Sequence, residues 1–285
     1  MTKGARLVTV ALGFTWAACA PTSPPATGVS SPQASSENAA GTEPSSLRSQ
    51  LPSAAEHQPA PSASDSHSGQ LRVLEVPGFQ PSLVYEPAGT EPRPLLVATH
   101  GAGGVPEGDC AYWRELTAGR AFLLCLRGTP LDQRGPSGFY YKDHHALGRE
   151  FVAAVARFRE RFGARLAPTA RVYAGFSQGA IMGAPMIVPH AGDFQRLALI
   201  EGGYEYWSLG TARSFAANGG QRVLFVCGTQ TCKQKAEIPA AWLREAKVAV
   251  RIEFAEGAGH TPFGEVMDRT LQALPWLLQD APHWL

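Results

Sequence analysis

The chain has 285 residues, with 25 Lys and Arg against 24 Asp and Glu and 44% hydrophobic residues. A net charge of +1 argues against a nucleic-acid partner or an acidic-surface partner, since binding of that kind rests on a concentrated positive field. The length suffices for one large domain with a sizeable core.

The first twenty residues read as an export signal rather than part of a fold. Lys3 and Arg6 form a positive start and Leu7–Ala18 an apolar run, with small residues after it, the pattern of a cleaved leader. The run is shorter than the ~20 residues of a membrane span. Two processing sites compete: Ala17-Ala18-Cys19 resembles a bacterial lipobox, which would lipidate Cys19, whereas Ala18-Cys19-Ala20 suits ordinary A-x-A cleavage. Residues 20–69 are dominated by Pro, Ser, Ala, Thr and Gly. They carry too little apolar surface to offset their ordering entropy and are expected to form a disordered linker, either a tether from an envelope anchor or the tail of a secreted protein.

From residue 70 to 285 short apolar runs alternate with helical stripes. Strands are predicted at Leu71–Val76, Ser82–Glu86, Pro94–His100, Ala121–Leu126, Val172 to the glycine corner at Gly175, Arg196–Ile200, Gln221–Cys227 and Val248–Ala255. The first two read as an antiparallel pair. Helices are expected near Tyr112–Gly119, over His145–Leu166, after Ser177, around Pro239–Glu245 and over Pro262–Gln279. Strands alternating with helices imply a mostly parallel sheet covered on both faces.

One stretch organises the rest: Arg171–Gly183, RVYAGFSQGAIMG. A buried strand, a tight G-x-S-x-G corner and an apolar helix form the context of a nucleophile elbow, in which Ser177 is held in a strained conformation at the top of the sheet. Eight strands with an antiparallel start, His100-Gly101-Ala102-Gly103-Gly104 after the third, Gly175-Phe176-Ser177-Gln178-Gly179 after the fifth and Gly257-Ala258-Gly259-His260 after the last resemble the α/β-hydrolase fold. The wording GFSQGA resembles its phospholipase/carboxylesterase and polyhydroxyalkanoate-depolymerase-like branches. The resemblance covers residues 71–285 and implies a serine hydrolase without metal or cofactor.

Its residues follow. Ser177 needs an adjacent base, and His260 lies at the same sheet edge. Backbone amides of Gln178 and of Ala102, or Gly103 as second choice, are expected to form the oxyanion hole, with His100 orienting the loop. The acid departs from the pattern: most relatives carry it after the seventh strand, where this chain has Cys227-Gly228-Thr229-Gln230-Thr231-Cys232, with Thr231 at the acid position. Glu201, closing the sixth strand, is the foremost candidate; Glu205, Glu237 or a dyad without acid are the alternatives. Of five cysteines, four remain once Cys19 is set aside, and they allow three pairings. Cys110–Cys125 and Cys227–Cys232 are expected, both at the top of the sheet; C-x4-C is poor zinc spacing. Aromatic stretches at Gly138–His145 and Tyr204–Trp207 either border a pocket or pack loops, and no connection is long enough for a lid domain.

The expectation is an exported, lipid-anchored serine hydrolase acting on small or polymer-end carboxylic esters at the cell envelope. The alternatives are a peptidase or thioesterase of the same fold, and a non-catalytic envelope binding protein that keeps the shell. Oligomeric state is not legible.

Overall fold

A computed structural model describes residues 69–132 and 137–284; the expected export signal, Cys19 and the expected linker, apart from Gly69, lie outside the described residues. All described residues fall within one compact unit, Pro59–Leu285.

The central strands are apolar on both faces and read as continuous buried runs. β3 (Leu95–Thr99), β4 (Phe122–Cys125), β7 (Val172–Phe176), β8 (Arg196–Ile200) and β9 (Arg222–Cys227) lie in the interior of an eight-stranded sheet with β1 (Gln70–Leu74), β2 (Ser82–Glu86) and β10 (Ala249–Phe254). The order is β1-β2-β4-β3-β7-β8-β9-β10. β2 runs antiparallel to both β1 and β4, and every other pair is parallel. A two-stranded ribbon, β5 (Thr129–Pro130) and β6 (Phe139–Tyr140), stands apart from the sheet.

Alternation along the strands splits the core in two. Val97, Tyr173, Leu199 and Phe225 face the layer built by α2 (His144–Phe162), α3 (Gln178–Ile187), α4 (Leu209–Ala217) and α5 (Gln230–Glu245). Leu96, Ala174, Ile200 and Leu224 face α1 (Pro106–Leu116) and α6 (Glu265–Leu277). Layers on both faces are what parallel strands require, because neither face can be left to water.

Three helices differ from expectation. α1 starts at Pro106, a residue suited to a first helical position, well before Tyr112. α4, for which no helix is expected, is capped by Ser208, which accepts from the Thr211 amide at 3.1 Å. α5 begins at Gln230 under a Thr229 cap and runs through Pro239, which was read as its start.

Both expected disulfides are present, Cys110–Cys125 and Cys227–Cys232, with Cα atoms 5.9 and 5.5 Å apart. Each joins the C-terminal end of a strand to a helix next to it. Such bonds fit an oxidising, extracytoplasmic compartment. Among the described residues no helix is long and apolar enough to cross a membrane.

Candidate active site

The corner between β7 and α3 needs its glycines. A Cβ on Gly175 would lie 2.6 Å from the Ala180 nitrogen, and one on Gly179 would lie 2.4 Å from the Thr99 carbonyl oxygen, so only hydrogen fits at either place. Ser177 between them has φ 49° and ψ −117°, a conformation that costs a non-glycine residue about 1–3 kcal/mol. The neighbours impose it: the Ser177 amide donates to the Ile200 carbonyl at 2.9 Å, and Tyr173 buries its hydroxyl against Gly179, donating to its carbonyl at 2.8 Å.

The strained turn delivers the hydroxyl to His260. Ser177 Oγ lies 2.8 Å from His260 Nε2, and Nδ1 of the same ring lies 3.0 Å from Glu201 Oε2. This geometry suits the tautomer in which Nδ1–H donates to the carboxylate and Nε2 accepts from the serine.

Glu201 is in the left-handed region as well, at φ 51°, and its amide donates to the Val226 carbonyl at 2.9 Å. Only 1% of its side chain is exposed. A carboxylate so placed needs partners, and it has them on the turn after β9. The Gly228 amide donates to Oε1, the Thr229 amide to Oε1 at 2.9 Å, and the Thr229 hydroxyl to Oε2 at 3.1 Å. Gly228 is obligatory there, since a Cβ would meet the Gly259 carbonyl oxygen at 2.3 Å. The turn that lacks a carboxylate of its own thus holds one sent from the neighbouring strand.

No protein-family model matches the sequence, and no curated protein does. Solved structures do match in shape. A dienelactone hydrolase-like promiscuous phosphotriesterase from metagenomic libraries is 16% identical, with 75% of this chain and 98% of that chain covered and a TM-score of 0.58. An esterase from the hyperthermophilic archaeon Pyrobaculum calidifontis is 15% identical over 74% of this chain and 85% of its own, with a TM-score of 0.54. A carboxylesterase from Mesorhizobium loti is 18% identical over 68% and 93%, with a TM-score of 0.51. The chain has the α/β-hydrolase fold.

Within this α/β-hydrolase scaffold the loop after β3 faces the elbow. The amides of Ala102 and Gln178 donate to no other group among the described residues, so both are available to an incoming oxygen. Gly103 is a correction: its amide donates to the Phe139 carbonyl at 2.8 Å and is not available as the alternative donor. The ribbon strand β6 that takes it also anchors Tyr141, whose amide donates to Gln178 Oε1 at 2.8 Å and whose hydroxyl donates to the Leu126 carbonyl at 3.0 Å. His100 braces the loop from beneath, its ring nitrogens 2.7 Å from the Gly101 carbonyl and 2.8 Å from that of Arg127. Burial holds it below the ordinary imidazole pKa.

The other acids considered for His260 do not contact it. Glu237 sits on α5 and pairs with Arg244 at 4.0 Å. Burial raises the Glu205 pKa, and its carboxyl turns to backbone amides of its own segment. Thr231 is an exposed residue in the first turn of α5. Glu201 and the sulfurs of Cys227 and Cys232 lie within 4.8 Å of one another, but both sulfurs are spent in the disulfide and offer no thiolate to a metal.

Sequence reasoning missed Thr229, Gly228 and Tyr141. Thr229 carried a signal, a T-x-x-C run in which a hydroxyl caps the following helix, its Oγ1 accepting from the Cys232 amide at 3.2 Å. Its second duty, to Glu201, spans two strands and has no local signature.

Proposed function

We propose that the protein is an exported serine hydrolase that cleaves carboxylic esters through an acyl-enzyme. The observation that carries this reading is the unbroken relay from Ser177 through His260 to a buried, fully partnered Glu201. As Oγ of Ser177 attacks the ester carbonyl carbon, its proton passes to Nε2 of His260. The resulting oxyanion is met by the Ala102 and Gln178 amides, each such donor contributing about 2.7–4 kcal/mol where it has been measured. Collapse breaks the bond to the alcohol oxygen, which takes the proton from His260 and leaves. Water then gives its proton to His260 and attacks the acyl-enzyme, and the carboxylic acid departs as Ser177 recovers its proton. Glu201 holds the ring in its productive tautomer and stabilises the imidazolium without taking the proton.

The reading of a binding protein without activity was motivated by the missing acid after β9, and that motive weakens now that Glu201 stands in hydrogen-bonding reach of His260. Esterases among the neighbours in shape favour esters over amides as substrates. Two disulfides support export, and lipidation of Cys19 would tether the domain at the envelope. In membrane fractionation of expressing cells the chain is then expected with the membranes and its Cys19→Ala variant in the soluble fraction.

Labelling of the purified protein with a fluorophosphonate, beside hydrolysis of p-nitrophenyl acetate and butyrate, tests the hydrolase reading. Wild type is expected to label and turn over while Ser177→Ala does neither. A wild type that is folded yet inert to the probe and to both esters would return the binding protein to favour.

A further inference from the structure

One cavity borders the relay without taking part in it. It measures 260 Å³ and lies between the loop after β3, α1 and the segment before α6, lined by Ala102, Asp109, Tyr112, Phe176 and Phe263 among others. This is just under the usual range of small-molecule pockets, about 300–1,000 Å³, and suits one arm of a substrate rather than a whole ligand. Three of its walls are the rings of Tyr112, Phe176 and Phe263. The Phe176 ring packs 5.3 Å from that of His260, and Phe263 meets Tyr112 edge to face at 6.0 Å. The cavity therefore begins one side chain away from the base and shares Ala102 with the oxyanion loop.

Asp109 is the anomaly among these walls. Its Oδ2 is buried without a hydrogen-bond partner, and among the described residues nothing bonds the rest of the carboxyl. Burial alone pushes its pKa up to about 8. Its place in the first turn of α1 suits the helix dipole, but no side chain among the described residues forms an ion pair or hydrogen bond with it. Tyr112 donates its hydroxyl to Thr270 at 3.3 Å. Asp109 is half-buried, with one carboxyl oxygen sealed from water; a sealed oxygen is costly unless partnered, and in a cleft beside reactive groups it is where a ligand's counter-charge would sit.

We propose that this cavity is a substrate subsite for a cationic arm, an ammonium group carried on the acyl or the alcohol part of the ester, with Asp109 as its counter-charge and the rings of Tyr112, Phe176 and Phe263 as its cage. The proposal rests on the ester-hydrolase reading of Ser177. An ammonium group supplies the charge that the carboxyl lacks and gains from the aromatic faces; on its arrival Asp109 gives up its proton to solvent. An apolar arm of the same size would fill the volume and leave the carboxyl unpartnered. An anionic arm would place two acids in one apolar site.

The test compares charged and neutral isosteres on the full protein. On the acyl side the pair is p-nitrophenyl 3-aminopropanoate and p-nitrophenyl butanoate; on the alcohol side it is acetylthiocholine and 3,3-dimethylbutyl thioacetate. In the wild type kcat/KM is expected to favour the cation at least tenfold in one of the pairs. Asp109→Asn is expected to lower that ratio at least tenfold. Ratios at or below one in both pairs overturn the proposal, as does a preference that Asp109→Asn leaves intact. Fluorophosphonate labelling reports whether the variant's site is assembled. Should Asp109→Asn fail to label, Phe263→Ala takes its place, at a wall that is 58% exposed, and must lower the ratio at least threefold. A wild type that neither labels nor cleaves any of the four esters defeats the hydrolase reading itself, and the subsite with it.

Discussion

The carboxyl of Glu201 sets two expectations at the scale of single residues. Glu201→Gln keeps the shape but presents an amide that the Gly228 and Thr229 donors disfavour on one side and His260 on the other. A loss of kcat of up to about 10⁴-fold is expected, as where the triad acid is made an amide elsewhere. Thr229→Val removes the hydroxyl that reaches Oε2 at 3.1 Å and, with it, the cap that hydroxyl gives the Cys232 amide at 3.2 Å. One hydrogen bond to a charged group contributes about 1.5–3 kcal/mol, so a loss of roughly tenfold in kcat at steady KM is expected. Steady-state kinetics of the two variants checks both, and equal losses would mean that Thr229 does more than position the acid. Asp109 makes a third expectation, in stability. Its folded pKa stands near 8 against about 3.9 unfolded. Between those values the folded state binds the extra proton, so stability falls as pH rises, by at most about 1.4 kcal/mol per pH unit from this group. Asp109→Asn is not subject to that loss. Thermal melts from pH 4 to 8 are expected to show the variant gaining on the wild type as pH rises, and a constant difference would refute the shift.

At the scale of elements, the strands were legible because β3, β7, β8 and β9 are buried on both faces and leave unbroken apolar runs. Ser177 and His260 were legible because each sits beside glycines at the end of such a run. The start of α5 was not, since the disulfide hid a helix cap inside what read as a loop, and Pro239 looked like a beginning. Asp109 was not legible either, because an acid in the first turn of α1 is ordinary until its surroundings are known. The turn after β9 shows what local reading can and cannot reach. Its cysteines announced a bridge, but that the bridge frames the Glu201 cradle follows only from strands β8 and β9 lying side by side. Opening it by Cys227→Ser with Cys232→Ser is expected to lower kcat about tenfold or more while KM stays within about threefold, since what loosens is the acid and not the cavity. A parallel rise in KM would assign the bridge to substrate binding.

For the whole molecule, the sheet's two covered faces hold the fold, and truncation of a fully buried side chain such as Phe225 is expected to cost about 3–5 kcal/mol. The groups proposed to act on the ester come from four places along one edge: the loops after β3, β7, β8 and β10. Both disulfides lie at that same edge, flanking the loop after β3 on one side and bordering the acid on the other. Active-site loops are ordinarily drawn from the least stable parts of a protein and open without the rest. Here the bridges remove much of the freedom that local opening would gain. The rim around Ser177 should therefore exchange its amide hydrogens slowly, with protection close to that of the central strands, so that substrates enter a site already assembled instead of one that must close around them.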